Sequence, residues 1–183
     1  ATHCQHNWHF LALTMHQPAP VRVCRADYSD PAHMQALIEL LDGYARDPAG
    51  GGEPLSQFAK SHLPAALRER AYVFSVLAFD DTRNRLPVGL VNCVEGFSSF
   101  ACRPLVNVHD VVVLASHRGQ RIGEQMLTLV EQLARERGAC KLTLEILSGN
   151  SSAMKLYRRI GFDNYQLEPA MGHAQFMQKW LQA

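Results

Sequence analysis

Residues 105–114, LVNVHDVVVL, are dominated by valine and leucine and read as a buried strand, because β-branched side chains suit a pleated surface packed on its faces. That strand runs into a glycine-bearing turn, Arg118-Gly119-Gln120-Arg121-Ile122-Gly123, and then into a helix. Ile122, Met126, Leu129, Val130 and Leu133 share one face of the helix, polar residues occupy the other, and Gly138 ends it. A central strand joined by a short turn to a one-sided helix has to be covered by that helix. This restricts the chain to a layered α/β arrangement.

The flanking sequence extends the alternation. Val21 and Val23 mark a first strand, and Ser29-Asp30-Pro31 starts a helix with Met34, Leu37, Ile38 and Leu41 at its apolar positions. Asp47-Pro48 and the glycines at 50–52 interrupt it, and residues 54–70 suggest a second helix or one broken at Pro64. Residues 72–79 and 87–94 make a hairpin around the polar turn 80–85. Leu142, Leu144 and Ile146 alternate as another strand, Ser151 opens a short helix closed by Gly161, and residues 175–181 read as a final strand. The expected fold is α/β (α+β): a single domain over 21–183 with a mixed central sheet of about six to seven strands and helices on both faces. Residues 1–20 read as an N-terminal arm, either flexible or left over from expression.

Bulk properties narrow the partners. A length of 183 residues supports one core and not comfortably two. A net charge of +1 lacks the cationic excess that nucleic acid binding needs, and no apolar run reaches the roughly 20 residues of a membrane span. Cys4, Cys24, Cys93, Cys102 and Cys140 are an odd, widely spaced set without a CxxC pair, which points to a reduced, cytoplasmic protein. His3, Cys4, His6, His9 and His16 crowd the arm, but a terminal segment without hydrophobic period is read as an arm. No metal is expected.

Two local patterns carry chemistry. In the 118–123 turn, glycines let the backbone approach a ligand, and free amides at a helix N-terminus suit a pyrophosphate, with Arg118 and Arg121 available for charge-assisted bonds. The turn is neither a Walker loop nor a GxGxxG fingerprint, so by itself it competes with a plain structural loop. Downstream, Asn150 or Ser151 can cap the helix that bears Tyr157 and ends at Gly161-Phe162. Taken alone, Tyr157 reads as core packing.

Together the two patterns, RGxxxG after the valine strand and then N-x-x-A-x-x-L-Y-x-x-x-G-F, resemble the GNAT superfamily of N-acetyltransferases over residues 106–162. One position departs from the family pattern: Arg121 stands where a glycine is expected. The resemblance implies acetyl-CoA as co-substrate. It gives Val111, Val112 and Val113 backbone contacts to the pantetheine arm, and the amides of Arg118, Gly119, Gln120, Arg121, Ile122, Gly123 and Glu124 a pyrophosphate cradle. It adds Asn150, with Ala153 beside it, as a pantetheine contact and Tyr157 as the acid that protonates the sulfur of coenzyme A. It implies direct transfer of an acetyl group to a primary amine of a small molecule or peptide in a ternary complex, with backbone donors near Val113 stabilising the oxyanion. Dimerisation is common among such relatives, so a homodimer is among the expectations.

The base is sought on the same strand, where strict alternation puts Asn107, His109, Val111 and Val113 on one face and Val108, Asp110, Val112 and Leu114 on the other. A histidine, with an ordinary pKa near 6.5, suits neutral-pH proton transfer, which makes His109 the first candidate. Asp110 is available to orient it, to act itself or to bind a cationic acceptor; Glu95 is the reserve, and Glu145 is read as support for the fold. Each of them is equally readable as a satisfied polar residue on a strand. Phe97, Phe100 and the 50–53 loop are expected to border the acceptor cleft. The rival reading is a module that binds an acyl-CoA and regulates a partner without turnover.

Overall fold

The structure is a computed structural model that describes residues 21–165, 168, 170, 172 and 174–181. Five strands, β1 (Val21–Arg25), β2 (Val73–Asp80), β3 (Leu86–Ser98), β4 (Arg103–Val113) and β5 (Leu142–Leu144), form one sheet in sequence order. The first four are antiparallel and β5 runs parallel to β4. Helices α1 (Pro31–Ala45) and α2 (Gln57–Arg68) follow β1; α3 (Ile122–Glu136) links β4 to β5, and α4 (Ser151–Arg159) follows β5. Local signals place these elements as the sequence implied. Asp30 caps α1 and accepts from the Ala32 amide, Ser56 caps α2, and Pro64 lies inside α2 without ending it.

The sheet separates two apolar cores. On one face Ile122, Met126, Leu127 and Val130 of α3 meet Phe74, Val76, Val91, Val106 and Val108. On the other, Met34, Leu37 and Leu40 of α1 meet Leu77, Phe79, Leu90 and Val112. Helices on both faces of a mixed sheet are therefore present. Buried valines and leucines of this kind stabilise by about 1.5–3 kcal/mol each.

Two expectations change. The sheet has five strands among the described residues rather than six to seven, and the expected final strand at 175–181 does not pair with it. The sequence of that segment suits a strand, but β-propensity is realised only through cross-strand packing. Its Phe176, Met177, Trp180 and Leu181 are all exposed. The arm at 1–20, with His3, Cys4, His6, His9 and His16, lies outside the described residues. Cys24, Cys93, Cys102 and Cys140 are unpaired thiols, and no helix among the described residues is long and apolar enough to cross a membrane.

Candidate active site

The site is organised by a defect in β4. Asn92 pairs with Asp110 and Cys93 with Val108, which leaves His109 as an extra residue, a β-bulge. Strict alternation therefore fails at that point. Val106 and Val108 face α3 before the bulge, and Val111 and Val113 face α3 after it, while Val112 packs on the α1 side. The single face predicted for Asn107, His109, Val111 and Val113 is thus split, because one inserted residue inverts the side-chain period.

Beyond the bulge, β4 loses a neighbour. β5 pairs with β4 only at Val106, Asn107 and Val108, while β4 continues to Val113. Asn107 ties the strands together at the point of divergence, its amide donating to Thr143 Oγ1 at 3.2 Å and to Glu145 at 3.1 Å. Glu145 thereby takes a supporting position. The Leu114 N–H donates to the Val88 carbonyl at 2.9 Å, so its backbone polar groups face β3. Alternation then turns those of Val111 and Val113 toward the side where β5 has departed. Arg118 Nε donates to the Val113 carbonyl on that side at 3.1 Å.

The helix that follows starts without a side-chain cap. Arg121 is the N-cap in the left-handed region (φ 59°, ψ 19°), and the Gln125 N–H donates to the Arg121 carbonyl at 3.0 Å. The amides of Ile122, Gly123 and Glu124 are consequently open at the positive end of the helix, an arrangement that receives anions. Gly119 has φ +81°, a value glycine adopts without strain. Gly123 packs closely on α4, since a Cβ there would stand 3.0 Å from Leu156 Cδ2, tighter than ordinary van der Waals contact. A Glu124–Arg159 ion pair of 3.1 Å also clamps α3 to α4. These open amides, the glycines and the parted strands fit a ligand with a pyrophosphate and a long amide-bearing arm.

A buried pair anchors the turn, and sequence reasoning missed it. His117, in the single turn Ala115–His117, places Nε2 3.1 Å from Asp80 Oδ2 at the end of β2, and its Nδ1 lies 2.9 Å from Ser116 Oγ. Both His117 and Asp80 are buried. Thr82's hydroxyl and then His117 hold the Asp80 carboxyl below the usual carboxylate range. Polar residues separated by 37 positions leave no local pattern; the pairing of β2 with β3 and of β3 with β4 brings them together.

On α4, Asn150 is the N-cap, its Oδ1 accepting from the Ala153 amide at 3.1 Å. Tyr157 is buried and meets the Phe162 ring edge-on at 5.8 Å between centroids. Burial first, and then the neighbouring Tyr44, push its phenol up to about 12. Its hydroxyl has no side-chain hydrogen bond among the described residues, yet no buried oxygen there is left unsatisfied.

The acceptor-side candidates are dispersed. His109 is exposed at the bulge, and Asp110 is half-buried behind it. Glu95 is held by Arg137 at 2.8 Å, and the same guanidinium lies 4.6 Å over the Phe74 ring. Phe97 and Phe100 sit at the β3–β4 hairpin end, where Phe97 pairs with Pro104, and both are exposed. That is roughly 20 Å along β4 from Val111, so the expectation that they border the cleft is corrected. The 48–52 loop instead folds under the end of α1, where a Cβ at Gly50 would overlap the Tyr44 carbonyl.

Parted parallel strands beside an uncapped helix N-terminus define an α/β protein with an open, anion-favouring helix end next to the sheet. The sequence profile described as the Acetyltransferase (GNAT) family matches residues 34–162, and the chain belongs to that family. Streptothricin acetyltransferase of Streptomyces lavendulae is 34% identical over 94 residues, 50% of each chain. A methionine sulfoximine/methionine sulfone acetyltransferase of Pseudomonas aeruginosa is 34% identical over 73 residues, 40% of this chain and 41% of that one. The chain thus spans about half the length, or less, of these curated relatives. Among solved structures, a probable acetyltransferase superposes with a TM-score of 0.72 at 23% identity, over 88% of this chain and 99% of that one. An aminoglycoside acetyltransferase from an uncultured soil metagenomic sample gives 0.69 at 18%, over 87% and 97%. At such identities the likeness speaks for the fold.

Proposed function

We propose that the protein is an acetyl-CoA-dependent N-acetyltransferase acting on a primary amine of a small molecule or peptide by direct attack in a ternary complex. The observation that carries this reading is the parting of β4 from β5 beside the uncapped α3 N-terminus. Family membership and the names of the relatives support acetyl transfer and disfavour a purely regulatory module.

Acetyl-CoA supplies an activated acyl thioester. The amides from Gly119 to Glu124 hold its pyrophosphate, the Arg118 amide being donated to the Ala115 carbonyl, and Val111 and Val113 offer backbone groups to the pantetheine arm. Val112 turns to the α1 core and supports them from behind. Asn150 caps α4 and keeps its amide nitrogen for the same arm. Tyr157 stays protonated throughout the working range, since its phenol is pushed up to about 12. A thiol ordinarily titrates near 8.5, so such a phenol is a weak proton source for the sulfur. Its main action is a hydrogen bond to the charge that develops there. His109 at the bulge accepts the proton of the attacking amine, directly or through water. Glu95, neutralised by Arg137, is assigned to the fold.

Thiol release from acetyl-CoA across an amine panel, alongside the thermal shift with coenzyme A, tests the reading. Release with at least one amine is expected. Stabilisation by coenzyme A with no release from any amine would establish the regulatory module instead.

A further inference from the structure

A chain of polar side chains crosses the sheet beneath the acceptor side. Tyr28, before α1, places its hydroxyl 2.8 Å from Ser75 Oγ on β2; Ser75 donates to Asn92 Oδ1 on β3 at 2.6 Å; and Asn92 Nδ2 donates to Asp110 Oδ2 at 3.0 Å. Ser75 is fully buried. The direction of the chain is fixed by its chemistry. A carboxylate accepts, so the Asn92 amide nitrogen donates to it and the Asn92 carbonyl oxygen is left to accept from Ser75. Ser75 has a single hydroxyl proton, already committed, so Tyr28 donates to Ser75. Three donors thus line up behind one carboxylate.

Such a line is not a proton path, because an amide in its middle cannot accept a proton on one side and release one on the other without tautomerising. It sets the position of Asp110. That carboxylate has no ion-pair partner among the described residues, and its second oxygen has no hydrogen bond there. It lies beside the end of α1, where its charge, after burial, helps to push the Tyr44 phenol up. An anion fixed in this way is badly placed beside the amine that reacts, since it would favour the unreactive ammonium form. Beside a second cationic group of the same acceptor it contributes binding without that cost.

Building on the transferase reading above, we infer that Asp110, held by Asn92, Ser75 and Tyr28, is a specificity-determining anchor for a second positive charge on the acceptor, which is therefore a diamine or larger polyamine-type molecule. His109, one residue away and outside the chain, remains for the reacting amine.

The test uses matched acceptors, cadaverine against pentylamine and lysinamide against norleucinamide, on the full chain with acetyl-CoA. A kcat/KM at least about tenfold higher for the dicationic member of a pair is expected, corresponding to a charged hydrogen bond of about 1.5 kcal/mol. Asp110→Asn should erase that preference by raising KM for the dicationic member of each pair, with the thermal shift by coenzyme A still in place. Ser75→Ala should raise KM for the diamines by a smaller factor, a change that a merely structural Asp110 would not produce. Equal kcat/KM within both pairs for the wild type overturns the inference. So does loss of kcat with every amine in Asp110→Asn, which would make Asp110 the base. Calorimetric binding of the diamines to the protein with coenzyme A separates this from the transferase reading. Binding lost in Asp110→Asn without turnover in either protein keeps the anchor and removes the transferase; absence of binding and turnover removes both.

Discussion

The two halves of the site are built from different materials. The side assigned to the donor, from Val111 to Glu124 with α4 beside it, rests mainly on backbone: parted strands, open amides and glycines at points of close approach. The side assigned to the acceptor rests on side chains contributed by the segment before α1 and by β2, β3 and β4, joined in one hydrogen-bonded line. Backbone geometry is reproduced by many sequences and recognises what all donors share. A side-chain line is specific to one chain, and it is the place where acceptors are told apart.

The largest predicted effect tests the side chain that belongs to the donor half. Tyr157→Phe removes only a hydroxyl, so the fold and the thermal shift with coenzyme A should persist while thiol release falls by about 10²-fold, the scale of losing one hydrogen bond to developing charge. Because the phenol titrates near 12, the wild-type pH–rate profile should show no alkaline loss attributable to it below about pH 11. Unchanged turnover in the variant would remove Tyr157 from the reaction. Next in size, Gly123→Leu should push α4 away from α3, because even a Cβ there meets Leu156 at 3.0 Å. Overpacking of this kind costs about 1–3 kcal/mol, and coenzyme A affinity should fall by about tenfold when measured by calorimetry. Full affinity in that variant would mean that the open amides of α3 do not hold the ligand.

Legibility followed the same division. The strand, turn and helix around Arg118 to Gly123 were readable because they are contiguous and each has a period or a breaker of its own. The bulge at His109 was not, since LVNVHDVVVL shows no glycine or irregularity to announce it, and its presence is dictated by the register with β3. Face assignments on β4 failed for that reason alone. Phe97 and Phe100 were placed by their chemistry, whereas the hairpin carries them to the far end of the sheet. The pairs Asp80–His117 and Asn92–Asp110 were invisible because hydrogen bonding between side chains on different strands follows topology and leaves no spacing rule. The expected strand at 175–181 had the right composition but pairs with no strand among the described residues.

Asp80 qualifies the contrast, for it is a side chain on which the donor half depends. Its carboxyl sits below the ordinary range in the folded protein, so the stability it contributes is fully present above about pH 4 and is lost as pH falls through the folded value. Urea midpoints measured from pH 6 downward should fall more steeply for the wild type than for Asp80→Asn, which starts lower and has that acid dependence removed. Parallel curves would show that Asp80, held by Thr82 and His117, does not set acid stability.

The smallest effect concerns Arg121, where this chain departs from the family pattern. The structure gives that departure a physical meaning, since the position has φ 59°, a conformation that glycine takes freely and that costs an L-residue about 1 kcal/mol. Arginine there has no ion pair among the described residues. Arg121→Gly should therefore raise stability by about 0.5–1 kcal/mol at most, with the gain reduced by the greater freedom of glycine in the unfolded chain. If the guanidinium adds a contact to the pyrophosphate, the same variant loses affinity for coenzyme A by a factor that shrinks as salt is raised. Equal affinity at low and high salt would leave the cradle to backbone amides alone, which is the sharper form of the contrast between the two halves.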